Sequence, residues 1–203
     1  VATPEGYARN PEQVINFYNE RRKQLLDVVP NAGHLGVADL ERDFNVTVVT
    51  QNVDNLHERA GSTHVIHLHG ELTKVCSSRD PYNPHFVKEL APEEYEVKLG
   101  DKAGDGTQLR PFIVWFGESV PEIETAIRYV EQADIFVIIG TSLNVYPAAG
   151  LLNYVPRAAE VYLIDPKPVD THVMRPIHVI QKGASEGVKE LKALLTVTQP
   201  PLP

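Results

Sequence analysis

Apolar positions change their period along the chain, and the change separates two kinds of element. From Asn10, a plausible N-cap followed by Pro11, the spacing of Val14, Ile15, Tyr18, Leu25 and Leu26 is helical and predicts an amphipathic helix to about Val29, where Pro30 ends it. Leu35, Val37, Leu40 and Phe44 predict a second helix that runs into a β-branched burst, Val46–Thr50, read as a buried strand. Further short strands are expected at Val65–His67, Phe112–Phe116, Ile135–Ile139, Val161–Ile164 and His178–Ile180. Helices are expected over about Asp54–Ala60, Pro121–Gln132, Pro147–Val155 and Ser185–Leu195, the third with proline in its first turn. Near-continuous apolar strands alternating with amphipathic helices mark an α/β fold built on a doubly wound parallel sheet.

The pattern breaks between Glu71 and Arg110, where Ser77–Pro84 and Gly100–Gly106 are turn-rich and charged without periodicity. A small inserted lobe over about residues 73–109 is expected there, within one domain of 203 residues. Gln199–Pro203 reads as a loose tail. A net charge of −8 argues against a broad phosphate-tracking surface, so a direct nucleic-acid partner is not expected, while a basic substrate segment would be drawn in. The single cysteine, Cys76, excludes a disulfide framework and a four-cysteine zinc site, which fits a reducing, cytoplasmic setting. No apolar run reaches the roughly 20 residues that span a bilayer, and no signal-peptide pattern opens the chain. Residue 1 is Val and the sole methionine is Met174, so sequence upstream of Val1 is expected.

In an open parallel sheet, ligands collect beyond the carboxyl ends of the strands. Three segments stand there: Thr50-Gln51-Asn52-Val53-Asp54 after the first strand, Gly140-Thr141-Ser142 after Ile135–Ile139, and Asp165 after Val161–Ile164, where a carboxylate could hold a ribose. Each alone has an ordinary reading as turn or N-cap residues, but their shared placement suggests a nucleotide-binding edge. His64, His67 and His69 are read at period two, on one face of an extended segment that could ligate metal, although no further ligand stands at a recognisable spacing. His69, where the chain leaves the sheet edge, is a candidate general base.

These residues carry a resemblance. Thr50–Gly61, then His69-Gly70-Glu71, Val114-Trp115-Phe116-Gly117-Glu118, and Gly140–Ala148 are similar to the successive blocks of the sirtuin (Sir2) family of NAD-dependent protein deacylases. The resemblance implies a Rossmann-like domain that takes NAD as co-substrate, with an acyl-lysine protein or peptide as partner. It implies that Gln51, Asn52 and Asp54 line a nicotinamide and ribose pocket, that Gly140, Thr141 and Ser142 form a phosphate and ribose loop, and that Ala184 adds a cofactor contact. Asp165-Pro166-Lys167 departs from the family, whose members often carry an Asn and a Glu there for the adenosine ribose, a place Asp165 could still serve. Val114, Phe116, Gly117 and Glu118, with Asn144 and Val145, match segments that clamp the substrate backbone by β-addition. His69, with Asn52, matches the catalytic pair. In the family's reaction the acyl oxygen attacks the ribose carbon, nicotinamide leaves, the histidine deprotonates a ribose hydroxyl, and lysine and O-acyl-ADP-ribose are released.

Tyr18 and Arg21 share a helical face. In the family's desuccinylase-like branch, such a Tyr-x-x-Arg pair reads the carboxylate of succinyl- or malonyl-lysine, with the guanidinium forking onto it. The plainer alternative is that Tyr18 packs in the core and Arg21 is a solvated surface residue. The family's glycine-rich NAD loop precedes the matched region and is expected in an upstream segment of some tens of residues. Its four zinc cysteines are reduced to Cys76, so no structural zinc is expected. Two other functions stay open: mono-ADP-ribosyl transfer, and a non-catalytic module that binds NAD or peptide.

Overall fold

A computed structural model of the protein describes residues 1–141, 148–168 and 175–197, with the side chains of Ala148 and Val197 left aside. The chain divides into two compact units, the first made of Val1–Val29, Val49–Asn55 and Ile66–Glu122, and the second of Pro30–Val48, Leu56–Val65 and the described residues from Ile123 onward. A two-stranded sheet joins β1, Val48–Thr50, to β2, Val65–His67. Val48 N–H donates to His64 O and Leu68 N–H to Thr50 O. As the first strand advances its partner advances with it, which is the parallel sense.

The first unit packs helix on an antiparallel sheet. Helix α1, Pro4–Arg9, is followed by α2, Pro11–Leu25, whose Asn10 cap accepts from Gln13 N–H. Strand β3, Gly70–Ser77, lies between β4, Lys88–Glu89, and β5, Leu109–Ile113, antiparallel to both. Val14 and Tyr18 of α2 bury against Leu72, Ile113 and Trp115, and Ile15 against Val75 and Val97. The second unit contains a parallel sheet in the order β6, Ile135–Ile139, β7, Glu160–Ile164, and β8, His178–Ile180. Helix α7, Ala184–Val197, covers it, with Val188, Leu191 and Leu195 packed on Tyr162, Ile164 and Ile180. The same unit holds α3, Ala32–Asp39, α4, Leu56–Ala60, α5, Ile123–Val130, and α6, Ala148–Leu151.

Several expectations are corrected. Helix α2 ends at Leu25, because Leu26 N–H turns back to Lys23 O, and Val28 and Val29 face solvent. The segment from Glu71, expected to be irregular, begins with the eight-residue β3. A register shift between Gly70 and Val75 breaks its alternation, so period two is lost from the sequence although the strand is formed. The strand expected at Phe112–Phe116 is instead Leu109–Ile113, paired Ser77 to Leu109 and Cys76 to Arg110. Trp115 owes its burial to the turn that follows, where Glu118 N–H bonds Trp115 O.

The 77–109 segment is tied by a polar clasp. Ser77 Oγ donates to Asp105 at 2.5 Å and accepts from Arg79 N–H and Asp80 N–H, while Thr107 gives Asp105 both its hydroxyl, at 2.6 Å, and its backbone N–H. The Ser77 and Thr107 bonds hold the Asp105 carboxyl down to about 2. A folded pKa below the unfolded value, about 3.9, contributes stability that is present above the unfolded value and lost as pH falls through the folded one. Ser77→Ala should therefore lower the Tm at neutral pH. In thermal melts, the gap between variant and wild type should close as pH falls from about 4 towards 2.

Candidate active site

At the end of β1, Thr50 Oγ1 accepts from Asn52 N–H at 3.0 Å, a side-chain turn that throws Gln51 and Asn52 out of the sheet. His67, at the end of β2, stands against the same turn, with Nδ1 3.0 Å from Asn52 O. A carbonyl can only accept, so Nδ1 carries the proton and braces the loop. Val53 O accepts from Leu72 N–H at 2.8 Å and closes it onto β3. Gln51 Nε2 and Asn55 Oδ1 are buried without a hydrogen-bond partner among the described residues. An amide donor and an amide acceptor withheld from the fold suit a ligand that carries both, as a carboxamide or a ribose does. Asn55 is not conspicuous in the sequence, where His67 stands only as a candidate metal ligand. The run of amides through Asn55 was the available signal for the first.

His69 follows β2 and is half-buried, and burial draws its pKa below the ordinary imidazole value. Its carbonyl accepts from Val114 N–H at 2.9 Å. Gly70 then takes φ +90, and a Cβ there would run into Phe112 O. Only glycine lets β3 leave the histidine at that angle. The three histidines do not form one metal-ligating face. His64 and His67 are an odd number of residues apart, which puts them on opposite sides of an extended chain. His64 Nδ1 lies 3.0 Å from Thr47 Oγ1, and its ring rests edge-on against Tyr129.

Where β5 gives way to the following turn in the same unit, Trp115 is the hub. It is buried, stacks over the Arg110 guanidinium at 3.8 Å, and donates Nε1–H to Tyr18 Oη at 3.1 Å. Burial raises the Tyr18 pKa against the pull of Trp115 and of the nearby positive charges of Arg110 and Arg21, so the phenol stays neutral. Arg21 is exposed and lies over the Phe17 ring at 5.1 Å. Phe116, 80% exposed, and Gly117 form the tip of the turn. The Glu118 side chain is committed to the fold. Its carboxylate takes both forks of Arg110 at 3.0 Å, Trp115 N–H at 2.8 Å and Tyr82 O–H at 3.1 Å, so it holds the turn from beneath.

In the second unit, Gly140 follows β6 at φ +65 with open space where a Cβ would stand, and its N–H continues the ladder to Ile164 O. Asp165 follows β7, and its Oδ1 accepts from Lys167 N–H at 2.8 Å. Ala184 opens α7, where first-turn N–H groups lack helical partners. Its Cβ lies 3.2 Å from where a Cβ on Gly33 would stand, so its side chain packs on α3 and its backbone is the part left for a ligand. Thr141 is the last described residue of its loop. Ser142, Asn144 and Val145 lie outside the described residues. Cys76 does not fit a thiolate metal site, since burial pushes its thiol up to about 12 and Sγ points at Pro111 O.

The Sir2 family model matches residues 1–147. An NAD-dependent protein deacylase of Bacteroides thetaiotaomicron is 83% identical over 195 residues, covering 96% of this chain and 83% of the relative. The crystal structure of a Sir2 homolog–NAD complex superposes with a TM-score of 0.80 at 36% identity, covering 97% of this chain and 76% of the other. A Sir2–p53 peptide–NAD+ structure superposes with a TM-score of 0.77 at 26% identity, covering 98% and 83%. The α/β fold with its parallel sheet is therefore Rossmann-like, and the chain belongs to the Sir2 family.

Proposed function

We propose that this protein removes acyl groups from lysine side chains of other proteins with NAD as co-substrate, and that it favours acyl groups ending in a carboxylate. The observation that carries the reaction is the half-buried His69 imidazole in the unit that also presents the unpartnered buried amide of Gln51. The relatives' names, NAD-dependent protein deacylase, and the Sir2–p53 peptide structure support both the co-substrate and a protein substrate.

Bound NAD supplies a ribose carbon that accepts the acyl oxygen as nicotinamide departs. Gln51 and Asn52 hold the carboxamide and ribose hydroxyls on the turn that His67 braces. Asp54 adds a carboxylate to that pocket. Gly140 and Thr141 receive phosphate and ribose on backbone, Asp165 holds the second ribose, and Ala184 offers its helix-terminal N–H. His69 takes the proton from the ribose hydroxyl, which its depressed pKa leaves it free to do near neutral pH. Val114, Phe116, Gly117 and the Glu118 backbone lie along the entering peptide. Ser142, Asn144 and Val145 complete the two loops in the same reading. No described helix is long and apolar enough to cross a membrane.

The acyl preference rests on Tyr18 and Arg21. The Tyr18 oxygen accepts from Trp115, so its own O–H remains as a donor, and Arg21 adds an exposed guanidinium one turn along the same helix face.

Two measurements test these roles. His69 must be neutral to act as base, and burial lowers its pKa, so the acidic limb of kcat/KM should lie below the ordinary imidazole value of about 6.5. A limb at or above that value would count against His69 as the base, and His69→Gln should remove turnover altogether. For the preference, Arg21→Ala should lower kcat/KM for a succinyl-lysine peptide by roughly ten- to a hundredfold more than for the matching acetyl-lysine peptide, the worth of one hydrogen bond to a charged group. An equal fall for both substrates would sink the carboxylate reading.

A further inference from the structure

Helix α2 carries a second pair at the same spacing, Asn19 and Arg22, set one residue, or about 100°, round the helix from Tyr18 and Arg21. Both are buried, Asn19 to 6% and Arg22 to 4% exposure. The Asn19 side chain does what a neighbouring strand would do. Nδ2 donates to Val97 O at 2.8 Å and Oδ1 accepts from Val97 N–H at 2.9 Å. Arg22 donates Nε–H to Tyr95 O at 2.8 Å and Nη2–H to Asn19 Oδ1 at 2.6 Å, and its Nη1 is 3.5 Å from Leu72 O. Tyr95–Val97 belongs to no helix or strand, so its buried backbone groups need partners from elsewhere, and these two side chains provide them.

The chemistry is unusual for a device that serves only stability. The acceptors around Arg22 are uncharged oxygens, and burial draws its pKa down to about 10, so it remains a buried cation at neutral pH. Removing a guanidinium from water without a counter-ion is unfavourable, and an apolar side chain of similar volume commonly serves stability as well or better. Hydrogen bonds supply direction, which apolar packing does not. Four bonds to the backbone of Val97, Tyr95 and Leu72 set the rotation of α2 about its axis and its position along it. Tyr18 and Arg21 occupy the same turns and inherit that setting.

We propose that Asn19 and Arg22 are specificity-determining positioning residues, which latch α2 to the Tyr95–Val97 backbone and so place the Tyr18 hydroxyl and the Arg21 guanidinium for an acyl carboxylate. The proposal rests on the reading of Tyr18 and Arg21 given above. The irregular segment thereby gains a role in substrate choice, though it contributes only backbone to the latch.

The test uses the full chain with succinyl- and acetyl-lysine peptides of one sequence, reading kcat, KM and Tm for Arg22→Met, Arg22→Lys, Asn19→Ala and Arg21→Ala. Arg22→Met keeps the bulk and drops the bonds. It should lower the succinyl-to-acetyl ratio of kcat/KM by roughly tenfold or more, mainly through the KM of the succinyl peptide, since displacements near 1 Å already have effects of that size. Arg22→Lys, with the charge but not the fork, should recover little of the ratio. If Arg22→Met does not fold, Asn19→Ala and Arg22→Lys carry the same ratio. An unchanged ratio in the soluble variants, whatever their Tm, overturns the latch while leaving the acyl reading standing if Arg21→Ala still lowers it. A ratio unmoved by Arg21→Ala overturns both.

Discussion

Arg110 lies beneath Trp115 with both forks on Glu118, and the segments that would meet substrate are arranged around that pair. Burial works against the charge on each partner. For Arg110 the Glu118 bond outweighs it and raises the pKa, and for Glu118 the bonds from Arg110 and Trp115 N–H outweigh it and lower the pKa. Arg110 is also fixed from behind by Ile113 O at 2.7 Å, so the guanidinium has little freedom to follow a displaced partner. Removing one member of such a pair leaves a stranded charge, a penalty of about 3–5 kcal/mol. The indole held above the pair touches Tyr7 and donates to Tyr18, so the position of α2 depends on the ion pair through one ring.

The same pair reaches into the irregular segment. Tyr82 donates to Glu118, its ring meets Phe112 edge-on, and burial raises its pKa, so it serves as a neutral donor at every physiological pH. Farther along, Tyr95–Val97 is held by α2, and Ser77, Asp105 and Thr107 close the remainder. These bonds form a network of short-range contacts, each between a side chain and either backbone or one other side chain. A segment with no continuous strand pattern can be ordered this way, because these side chains supply partners to buried polar groups that a strand ladder would otherwise serve.

What the sequence made legible follows from what each element needs. Strands β2, β6 and β8 match their expected limits, and β7 differs only by Glu160, because short apolar runs between turn residues leave few alternatives. Helix α1 went unseen, since its six residues bury nothing and leave no apolar stripe. Strand β3 was hidden by its register shift, and the run at Phe112–Phe116 pointed to a strand where Trp115 is buried by a turn. Among site residues, Gln51, Asn52 and His69 could be named because amides and an imidazole at strand ends are chemically conspicuous. Asn19 and Arg22 could not, because a polar residue that bonds backbone far away in sequence looks, in one dimension, like a solvated one.

That blind spot bears on the Tyr18 and Arg21 pair itself. The plainer reading made Tyr18 a core residue and Arg21 a surface one, and each half is physically correct: Tyr18 is 6% exposed and Arg21 faces solvent. A carboxylate reader needs both properties at once. A phenol fixed by Trp115 keeps its donor direction without loss of rotamer freedom on binding, whereas an exposed guanidinium keeps its charge hydrated until an anion arrives. Burying Arg21 beside Tyr18 would have committed its donors to permanent acceptors that compete with the substrate. Arg22, one position on, is the buried cation of this helix, its donors committed to uncharged oxygens, which leaves Arg21 as the guanidinium that faces solvent.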